Sequence, residues 1–275
     1  MIKVDCHTHT NHSHDGHVSV SDMAKLAREQ GLTYLCTTDH CDYDLVYGGC
    51  RAPFRWGDTD VESYYQDWKT VKEALDKDET NTLTLGFGIE AAYADGAIVA
   101  EKYQELVDKY PFDTVINSVH CAGGKDMYFK NAFLFKSKKK AYGLYLDTIR
   151  RSLDVPYQYD VVAHIGYVTH GAPYRDKALR YEDFADKIDD ILKRIIELDK
   201  ALEVNFHHEM NPKRDIIERY YELGGRKISY GSDAHRGDIC KEFESVSNML
   251  REIGFTEYVY YIKHEPHYVP IGDKI

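Results

Sequence analysis

Seven short apolar segments recur along the chain, and each is followed by a stretch in which apolar residues are spaced three and four apart. The first pattern is typical of buried β-strands and the second of amphipathic helices. Strict alternation of the two favours right-handed βα crossovers and therefore a parallel sheet. The predicted strands span residues 2–6, 32–37, 83–89, 114–119, 160–163, 202–206 and 227–230, and the predicted helices span residues 20–30, 61–76, 97–109, 137–152, 182–199, 214–223 and 238–253.

The alternating pattern runs without a break. No Pro- or Ser-rich linker and no shift in composition interrupts it, so we predict a single domain over residues 1–275. Parallel α/β barrels commonly have this length. Alternation alone is compatible with an open, doubly wound sheet and with a closed barrel, because both bury their strands beneath helices.

Imidazole or carboxylate side chains follow six of the seven predicted strands. A closed barrel brings the carboxyl ends of its strands to one mouth, whereas an open sheet distributes them along a line. We therefore predict an α/β fold of the TIM type, a parallel βα barrel with its functional site at this mouth. The residues concerned are Asp5, His7, His9, Asp39, His40, Glu90, His120, His164, Asp233 and His235.

Pairs of these residues have the spacing of metal ligands. His7 and His9 are two residues apart at a strand end, so their side chains point to the same side and can hold one ion. Asp233 and His235 repeat this arrangement on the last strand. Imidazole and carboxylate together suit Zn²⁺, Mn²⁺ or Fe²⁺. Because the donors exceed the needs of one ion, we predict two or three divalent metal ions, with Glu90 bridging a pair.

A single histidine of this kind is more often a hydrogen-bonded core residue than a ligand. This holds for His120 or His164 taken alone. A whole set of such groups at equivalent strand ends would each need its own buried partner, at a cost of about 1–3 kcal/mol per unsatisfied group. The joint pattern therefore favours a metal cluster over separate core histidines.

The overall charge argues against a nucleic acid as the main ligand. The formal net charge is −11 and the isoelectric point is about 5.7, whereas binding to a nucleic-acid backbone depends on clustered Lys and Arg. We interpret the short basic run at residues 136–140 as a solvated helix face. Nothing in the sequence indicates an oligomeric state.

Two absences in the sequence bear on location. No basic-then-apolar segment begins the chain and no run of about 18 apolar residues occurs, so we expect a cytoplasmic protein without a membrane partner. The six cysteines form no Cys-x-x-Cys pair. We therefore expect reduced thiols, most of them buried.

The donors lie within six ordered motifs, which read Asp5-Cys-His7-Thr-His9-Thr, Thr38-Asp39-His40, Gly88-Ile-Glu90, Ser118-Val-His120, Ala163-His164 and Gly231-Ser-Asp233-Ala-His235. These motifs resemble those of the polymerase-and-histidinol-phosphatase (PHP) metallohydrolase superfamily, from the first predicted strand to the last. The resemblance implies a distorted barrel of seven βα units. Segments 88–93 and 202–205 are most similar to the monofunctional histidinol-phosphate phosphatases within that superfamily.

The resemblance implies three metal sites. Glu90 is shared by the first two, and the third takes a residue from loop 11–16 in addition to two histidines. By spacing from His9 that residue is Asp15, with His14 beside it as an open alternative. The implied ligands are His7, His9, Glu90 and Asp233 for the first site, Glu90, His120 and His164 for the second, and His40, His235 and Asp15 for the third.

The implied activity is hydrolysis of a small-molecule phosphate monoester, most specifically of L-histidinol phosphate to L-histidinol and phosphate in histidine biosynthesis. In such hydrolases metal ions activate water for in-line attack on phosphorus. Glu90, Asp233 and His235 are the expected catalytic centre. Arg175 and Arg236 are the candidate phosphate clamps, because a guanidinium binds phosphate through two donors.

Substrate recognition is less well defined by the sequence. Where relatives commonly have Asp, this chain has Gly166, and residues 206–209 read Phe-His-His-Glu in place of small and hydroxylic residues. Both segments are expected where a leaving group would bind. Weaker phosphate-binding candidates are His17, Arg51 and Arg55, and the aromatic loop 43–56 is a candidate cover for the substrate.

Other functions are compatible with parts of the pattern. The same metals would serve another small phosphate ester or a phosphotyrosine-bearing protein. Amidohydrolases also begin with His-x-His on a barrel, but they usually have about eight strands and a lone final Asp, so the pair of Asp233 and His235 weighs against them. A non-enzymatic role in metal storage or regulation would require a metallated sample without detectable turnover.

Overall fold

The seven predicted strands all form, and two further pairs of strands occur beside them. The computed structural model describes residues 3–53 and 58–272, so the predicted start of the first strand at residue 2 lies outside the described residues. The strands are β1 (Lys3–Thr8), β2 (Leu32–Cys41), β3 (Thr84–Ala92), β4 (Thr114–Ser118), β5 (Cys121–Ala122), β6 (Lys125–Asp126), β7 (Val161–Val162), β8 (Ala201–Asn205), β9 (Ile228–Gly231), β10 (Glu257–Ile262) and β11 (Glu265–Pro270).

The sheet is a nearly closed barrel. Its hydrogen-bonded order is β1-β2-β3-β4-β7-β8-β9, with every pairing parallel. The first and last strands then meet, since the N–H of His9 donates to the carbonyl of Ala234 at 2.9 Å and the N–H of Asp233 donates to the carbonyl of His7 at 2.8 Å. The prediction of a parallel βα barrel with seven strands is therefore confirmed.

Helices connect the barrel strands and bury their apolar faces against the sheet. In the helix Ala185–Glu197, the isoleucine and leucine side chains at positions 188, 191, 192 and 195 are all buried, which is the predicted spacing. Among the described residues, no helix is both long enough and apolar enough to cross a membrane. The helices are α1 (Val20–Glu29), α2 (Tyr43–Val46), α3 (Val61–Lys77), α4 (Ala97–Lys109), α5 (Lys138–Ser152), α6 (Ala185–Glu197), α7 (Arg214–Glu222) and α8 (Phe243–Ile253).

The antiparallel hairpin of β10 and β11 covers the amino-terminal end of the barrel. Its turn donates backbone N–H groups from Lys263 and His264 to Asp113, which precedes β4, at 3.0 Å each. On its inner side Val259 and Tyr261 pack against barrel residues. The hairpin thus closes the end of the barrel opposite to the strand ends that carry the predicted donors.

A disulfide bond joins Cys50 to Cys121, 71 residues apart in sequence. The expectation that all six cysteines are reduced is therefore wrong for this pair. No local motif predicts the bond, because only the fold brings Cys50, in the loop after α2, next to Cys121. The other cysteines are free, as expected, and three of these four are buried.

Asp5 links the two strands that close the barrel. Its carboxylate is fully buried and accepts the backbone N–H of Ser232 at 2.9 Å and that of Cys240 at 2.8 Å. Both donors belong to the segment that follows β9, whereas Asp5 lies on β1. Asp5 therefore stabilises the seam, by which we mean the contact between β1 and the segment after β9 that closes the barrel. Its side chain does not face the mouth with the histidines.

Replacing Asp5 by Ala should destabilise the protein by about 2–4 kcal/mol, because two buried N–H groups lose their acceptor at about 1–3 kcal/mol each. Urea unfolding measures this change. Asp76→Ala is the matched control, since Asp76 is exposed and its ion-pair partner among the described residues is Lys72 on its own helix. The expected effect of this control is below about 0.5 kcal/mol. Equal losses in the two variants would contradict the role of Asp5 in the seam.

Candidate metal centre

The strand ends carry their polar side chains into one cavity of about 690 Å³. His7 and His9 are fully buried behind its lining and contact two lining residues, Glu90 and Asp233. All nine residues predicted as metal ligands thus meet at the mouth of the barrel. Those that line the cavity are Asp15, His40, Glu90, His120, His164, Asp233 and His235.

Four donor atoms form a compact group at the ends of β1, β3 and β9. The Nε2 atoms of His7 and His9 are 3.0 Å apart, and the Nε2 of His9 is 3.1 Å from Oδ1 of Asp233. Oε2 of Glu90 lies 3.4 Å from His7 Nε2 and 3.6 Å from His9 Nε2. Ligands about 2.0–2.1 Å from a tetrahedral ion are separated by about 3.3 Å from one another, so these four atoms have the spacing of one coordination sphere.

The two oxygens of Glu90 face different groups of imidazoles. Oε2 faces the first group and also Nδ1 of His40, at 2.9 Å. Oε1 faces Nε2 of His120 at 3.1 Å and Nε2 of His164 at 2.7 Å. A carboxylate placed in this way is able to bridge two cations, each completed by its own imidazoles.

A third group lies beside the first, nearer to solvent. The Nε2 of His235 is 3.4 Å from Oδ2 of Asp15, and the Nε2 of His40 is 3.7 Å from Oδ1 of the same carboxylate. Ring nitrogens of His9, His40 and His235 lie within 4.8 Å of one another. His14 also reaches the cavity, where it contacts Asp15 at 3.5 Å. Asp15 therefore lies between the two imidazoles of this group, and His14 lies next to Asp15.

The donor atoms are too crowded to satisfy one another by hydrogen bonding. Oδ1 of Asp15, Nδ1 of His40 and Oδ1 of Asp42 are buried without a hydrogen-bond partner; the short contact of His40 with Glu90 lacks hydrogen-bond geometry. Facing ring nitrogens at 3.0 Å, as in His7 and His9, also require a proton or a cation between them. Imidazole and carboxylate donors in this arrangement fit divalent metal ions.

Electrostatics keep two of the donors, Glu90 and His9, in the protonation states that bind metals. Nearby carboxylates outweigh burial and raise the pKa of His7, His40 and His120, so these three would release a proton on binding a metal. Burial raises the pKa of the Glu90 carboxyl, but the imidazoles around it, His120 and His7 foremost, outweigh burial and hold this pKa well below its usual range. Burial lowers the pKa of His9 well below its usual value, and neighbouring imidazoles add to the effect. Glu90 is therefore an anion and His9 a neutral imidazole, which are the forms that coordinate metals.

A buried glutamate that the sequence analysis did not assign, Glu203, orients two of the histidines. Its Oε1 accepts from Nδ1 of His7 at 2.6 Å, and its Oε2 accepts the backbone N–H of His164 at 2.9 Å. Because Nδ1 of His7 carries the proton, Nε2 is left as the ligand atom. An acidic residue inside the apolar strand segment 202–206 is the signal that would have revealed this role.

Asp39, at the end of β2, supports the site without belonging to the donor groups. Its carboxylate accepts the backbone N–H groups of Thr10 at 2.7 Å and Ser13 at 3.1 Å, together with both of their hydroxyls. The Ser13 hydroxyl in turn lies 3.2 Å from Nδ1 of His9. Asp39 thus holds the turn after β1 and fixes the orientation of His9.

The structure separates the two candidate phosphate clamps. Both arginines are exposed, but Arg236 lines the cavity, whereas Arg175 lies outside its lining. His17 and Arg51 are likewise exposed and outside the lining. Arg55, like Trp56 of the candidate cover loop, lies outside the described residues. Lining residues to which the sequence analysis gave no individual role include Asp42, Asp44, Asp126, Tyr128, Phe129, Tyr167, His170, Asp238 and Lys241.

Of the two places that depart from the family's pattern, the histidines of segment 206–209 line the cavity, whereas Gly166 precedes the lining residue Tyr167 without lining the cavity itself. His207 and His208 line it, and Nδ1 of His207 donates to the backbone carbonyl of Asp233 at 2.7 Å. The N–H of Gly166 donates to the side chain of Asn211 at 2.6 Å, and a Cβ at position 166 would lie 2.7 Å from the same Asn211 oxygen. Glycine at this position therefore permits the close approach of Asn211.

Three proteins with assigned names are similar to the chain over most of their length. A probable histidinol-phosphatase of Clostridium acetobutylicum is 29% identical over 85% of this chain and 87% of that protein. A histidinol-phosphatase of Lactococcus lactis is 26% identical over 94% of this chain and 93% of its own length. A probable histidinol-phosphatase of Thermotoga maritima is 28% identical, covering 92% and 93%.

Solved structures share the fold. The histidinol phosphate phosphatase of Lactococcus lactis, solved in complex with zinc, L-histidinol and phosphate, superposes with a TM-score of 0.85 at 23% identity and covers 96% of this chain and 98% of that chain. A putative histidinol phosphatase of Listeria monocytogenes superposes with a TM-score of 0.74 at 20% identity, over 88% and 99%. The PHP domain matches residues 5–207, which is more than half of the chain, and the protein therefore belongs to the PHP-domain family.

Proposed function

We propose that the protein is a metal-dependent phosphomonoesterase that hydrolyses L-histidinol phosphate to L-histidinol and phosphate. One observation carries the proposal: the two oxygens of Glu90 face two separate groups of imidazoles, at 2.7–3.6 Å. A carboxylate shared in this way is the core of a multinuclear hydrolytic centre. The choice of substrate is supported by the names of the relatives, which are histidinol-phosphatases or probable ones.

We assign the donors to three divalent ions, zinc, manganese or iron, through the groups described above. When bound, these ions supply Lewis acidity that lowers the pKa of water and offsets charge on the phosphoryl oxygens. The zinc in the Lactococcus lactis structure supports zinc as one of the metals. The ligands are His7, His9, Glu90 and Asp233 for the first ion, Glu90, His120 and His164 for the second, and Asp15, His40 and His235 for the third.

The chain's own groups orient two of the proposed ligands and provide a guanidinium for the phosphate. Nδ1 of His235 donates to the backbone carbonyl of Asp233 at 2.9 Å, so its Nε2 is directed to the third group. The side chain of Asn205 donates to Oδ2 of Asp233 at 3.2 Å, which holds that carboxylate toward His9. Arg236 is the guanidinium we assign to the non-bridging phosphate oxygens, because it follows His235 directly and lines the cavity.

Replacing Glu90 by Gln should abolish turnover. The expected loss in kcat is at least about 1000-fold with histidinol phosphate and with an aryl phosphate, since metal Lewis acidity contributes several kcal/mol to such reactions. Phosphate release and metal content by mass spectrometry are measured together. Glu73→Gln, on the exposed face of α3, should behave as wild type. Full turnover in the Glu90 variant, or a wild-type protein that cleaves neither ester, would contradict the proposed function.

Replacing Glu203 by Gln should weaken metal binding about 10- to 100-fold, as is typical when the partner that orients a ligating histidine is lost. The reason is that the amide no longer fixes the proton on Nδ1 of His7. Competition with a chelator measures the affinity, and circular dichroism verifies the fold. Unchanged metal affinity in a folded variant would mean that Glu203 does not orient the ligand.

The two candidate arginines give a matched pair. Arg236→Ala should lower kcat/KM for histidinol phosphate by about 10- to 100-fold, the size of one lost charge-assisted contact. Arg175→Ala should remain within about twofold of wild type, because its side chain is exposed outside the cavity. Steady-state kinetics of both variants decide this. A larger loss in the Arg175 variant would reverse the assignment.

A further inference from the structure

One side of the cavity is lined by three buried carboxylates, which we call the acidic wall: Asp42, Asp44 and Asp126. They are only 6%, 1% and 7% exposed. The first two follow β2, and the third lies in the β5–β6 ribbon after β4. None of the three is among the metal ligands proposed above, so their charge requires another explanation.

Within residues 3–53 and 58–272, the acidic wall has no Lys or Arg counter-ion; its ion-pair contacts are histidine nitrogens at 3.5–3.8 Å from Asp42. Asp44 accepts the backbone N–H of Leu45 at 2.8 Å. Asp126 accepts the N–H of Tyr128 at 2.8 Å and the hydroxyl of Tyr167 at 3.3 Å. These neutral donors position the carboxylates but supply no positive charge, so the ionised form of a buried carboxylate is costly here.

Asp42 turns its carboxylate into the cavity. It occupies the N-cap position of α2 but makes no capping hydrogen bond, although aspartate normally caps with its side chain. Its Oδ1 is buried and has no hydrogen-bond partner. The ring nitrogens nearest to this Oδ1, Nδ1 of His40 and Nδ1 of His120, are 3.7 and 3.8 Å away, beyond hydrogen-bond distance. Nδ1 of His14 lies 3.5 Å from the other oxygen, Oδ2. An unsatisfied buried anion that lines a cavity indicates a missing cationic ligand.

Burial raises the pKa of Asp44 to about 8, and the charge of Asp42 contributes to the shift. Burial likewise raises the pKa of Asp126. Both shifts have the direction expected for carboxylates packed together without a counter-ion. A cation bound at the acidic wall would offset them.

The acidic wall adjoins the imidazoles of the second metal group. The ring of Tyr167, whose hydroxyl donates to Asp126, lies with its centre 4.8 Å from that of His120 and 5.2 Å from that of His164. The ring of Tyr128 follows at 6.5 Å from Tyr167. An ester whose phosphate is held by the metal groups would therefore have its leaving group between these aromatic rings and the acidic wall.

The cationic residues of the cavity come from another part of the barrel. Arg236 and Lys241 both belong to the segment that follows β9. The cavity thus combines cationic side chains and metal ligands, which suit a phosphate, with a separate anionic wall, which suits a positive charge. A ligand that matches both features carries a phosphate and an ammonium group a few bonds apart.

We infer that the acidic wall binds the primary ammonium of the leaving group and that it selects amino-alcohol phosphates over phosphate esters without an amine. The inference rests on the proposed function and specifies which part of the substrate the loops after β2 and β4 recognise. Ammonium has the right chemistry, because it is compact and donates three hydrogen bonds.

The test compares two esters that differ only in the amino group, L-histidinol phosphate and its desamino analogue. The wild-type holoenzyme should prefer the amine by about 10- to 100-fold in kcat/KM, the size of a charge-assisted contact. Asp44→Asn and Asp126→Asn should each reduce this preference at least about fivefold. Asp238→Asn is the matched control: it also lines the cavity but lies beside Lys241, and it should keep the wild-type preference.

Binding gives a readout that is independent of turnover. Calorimetry of the holoenzyme with L-histidinol should show a Kd about 10-fold weaker in Asp44→Asn, whereas desamino-histidinol should bind both proteins alike. Equal losses of affinity for the two ligands would mean that the acidic wall affects binding only by orienting His120. The loss of one metal ion per chain in Asp44→Asn would mean that the acidic wall holds a metal ion. Either result overturns the inference. A wild-type enzyme that cleaves both esters equally well overturns the inference alone, whereas one that cleaves neither refutes the proposed function.

Discussion

The backbone contact between β1 and the segment after β9 is the constraint on which the site depends. The carbonyl of His7 accepts the N–H of Asp233, and the N–H of His9 donates to the carbonyl of Ala234. These two bonds bring together residues from opposite ends of the sequence, so that His9 Nε2 lies 3.1 Å from the Asp233 carboxylate. Opening this seam would separate the first and last strands, and the first donor group would be lost even with every other strand in place.

Closure of the barrel buries many imidazoles and carboxylates close together, and the surrounding residues satisfy only some of their polar atoms. Several imidazoles and carboxylates are buried at 2.7–3.9 Å from one another, and Glu90 alone faces both sides. Glu203 and Asp39 act from behind, where each accepts hydrogen bonds that fix a turn or a ring. Their effect is to point the ring nitrogens into the site, toward other metal-ligand atoms. Such an arrangement is stable when cations occupy the space between the donors, so folding and metal binding are expected to be coupled.

The barrel and its donors were predictable because both follow from repetition: apolar runs of strand length alternate with helices, and polar residues recur at the strand ends. The other features of the fold and the site could not be predicted, and the reasons are physical. The bond between Cys50 and Cys121 and the acidic wall depend on where loops lie in space, which no local pattern encodes. The hairpin after α8 follows no βα unit, so the repeat gave no expectation for it. Arg175 had the right chemistry but lies on an exposed loop.

The segment at residues 206–209 shows how a departure in sequence can serve the metal centre. Its histidines suggest recognition of a substrate, yet Nδ1 of His207 donates to the backbone carbonyl of Asp233, which also accepts from His235. Asp233 has a φ of 53°, a left-handed conformation that few residues adopt without support. Two imidazole donors on one carbonyl supply that support. His207 therefore holds the backbone of Asp233, whereas its neighbour His208 lines the cavity without that bond.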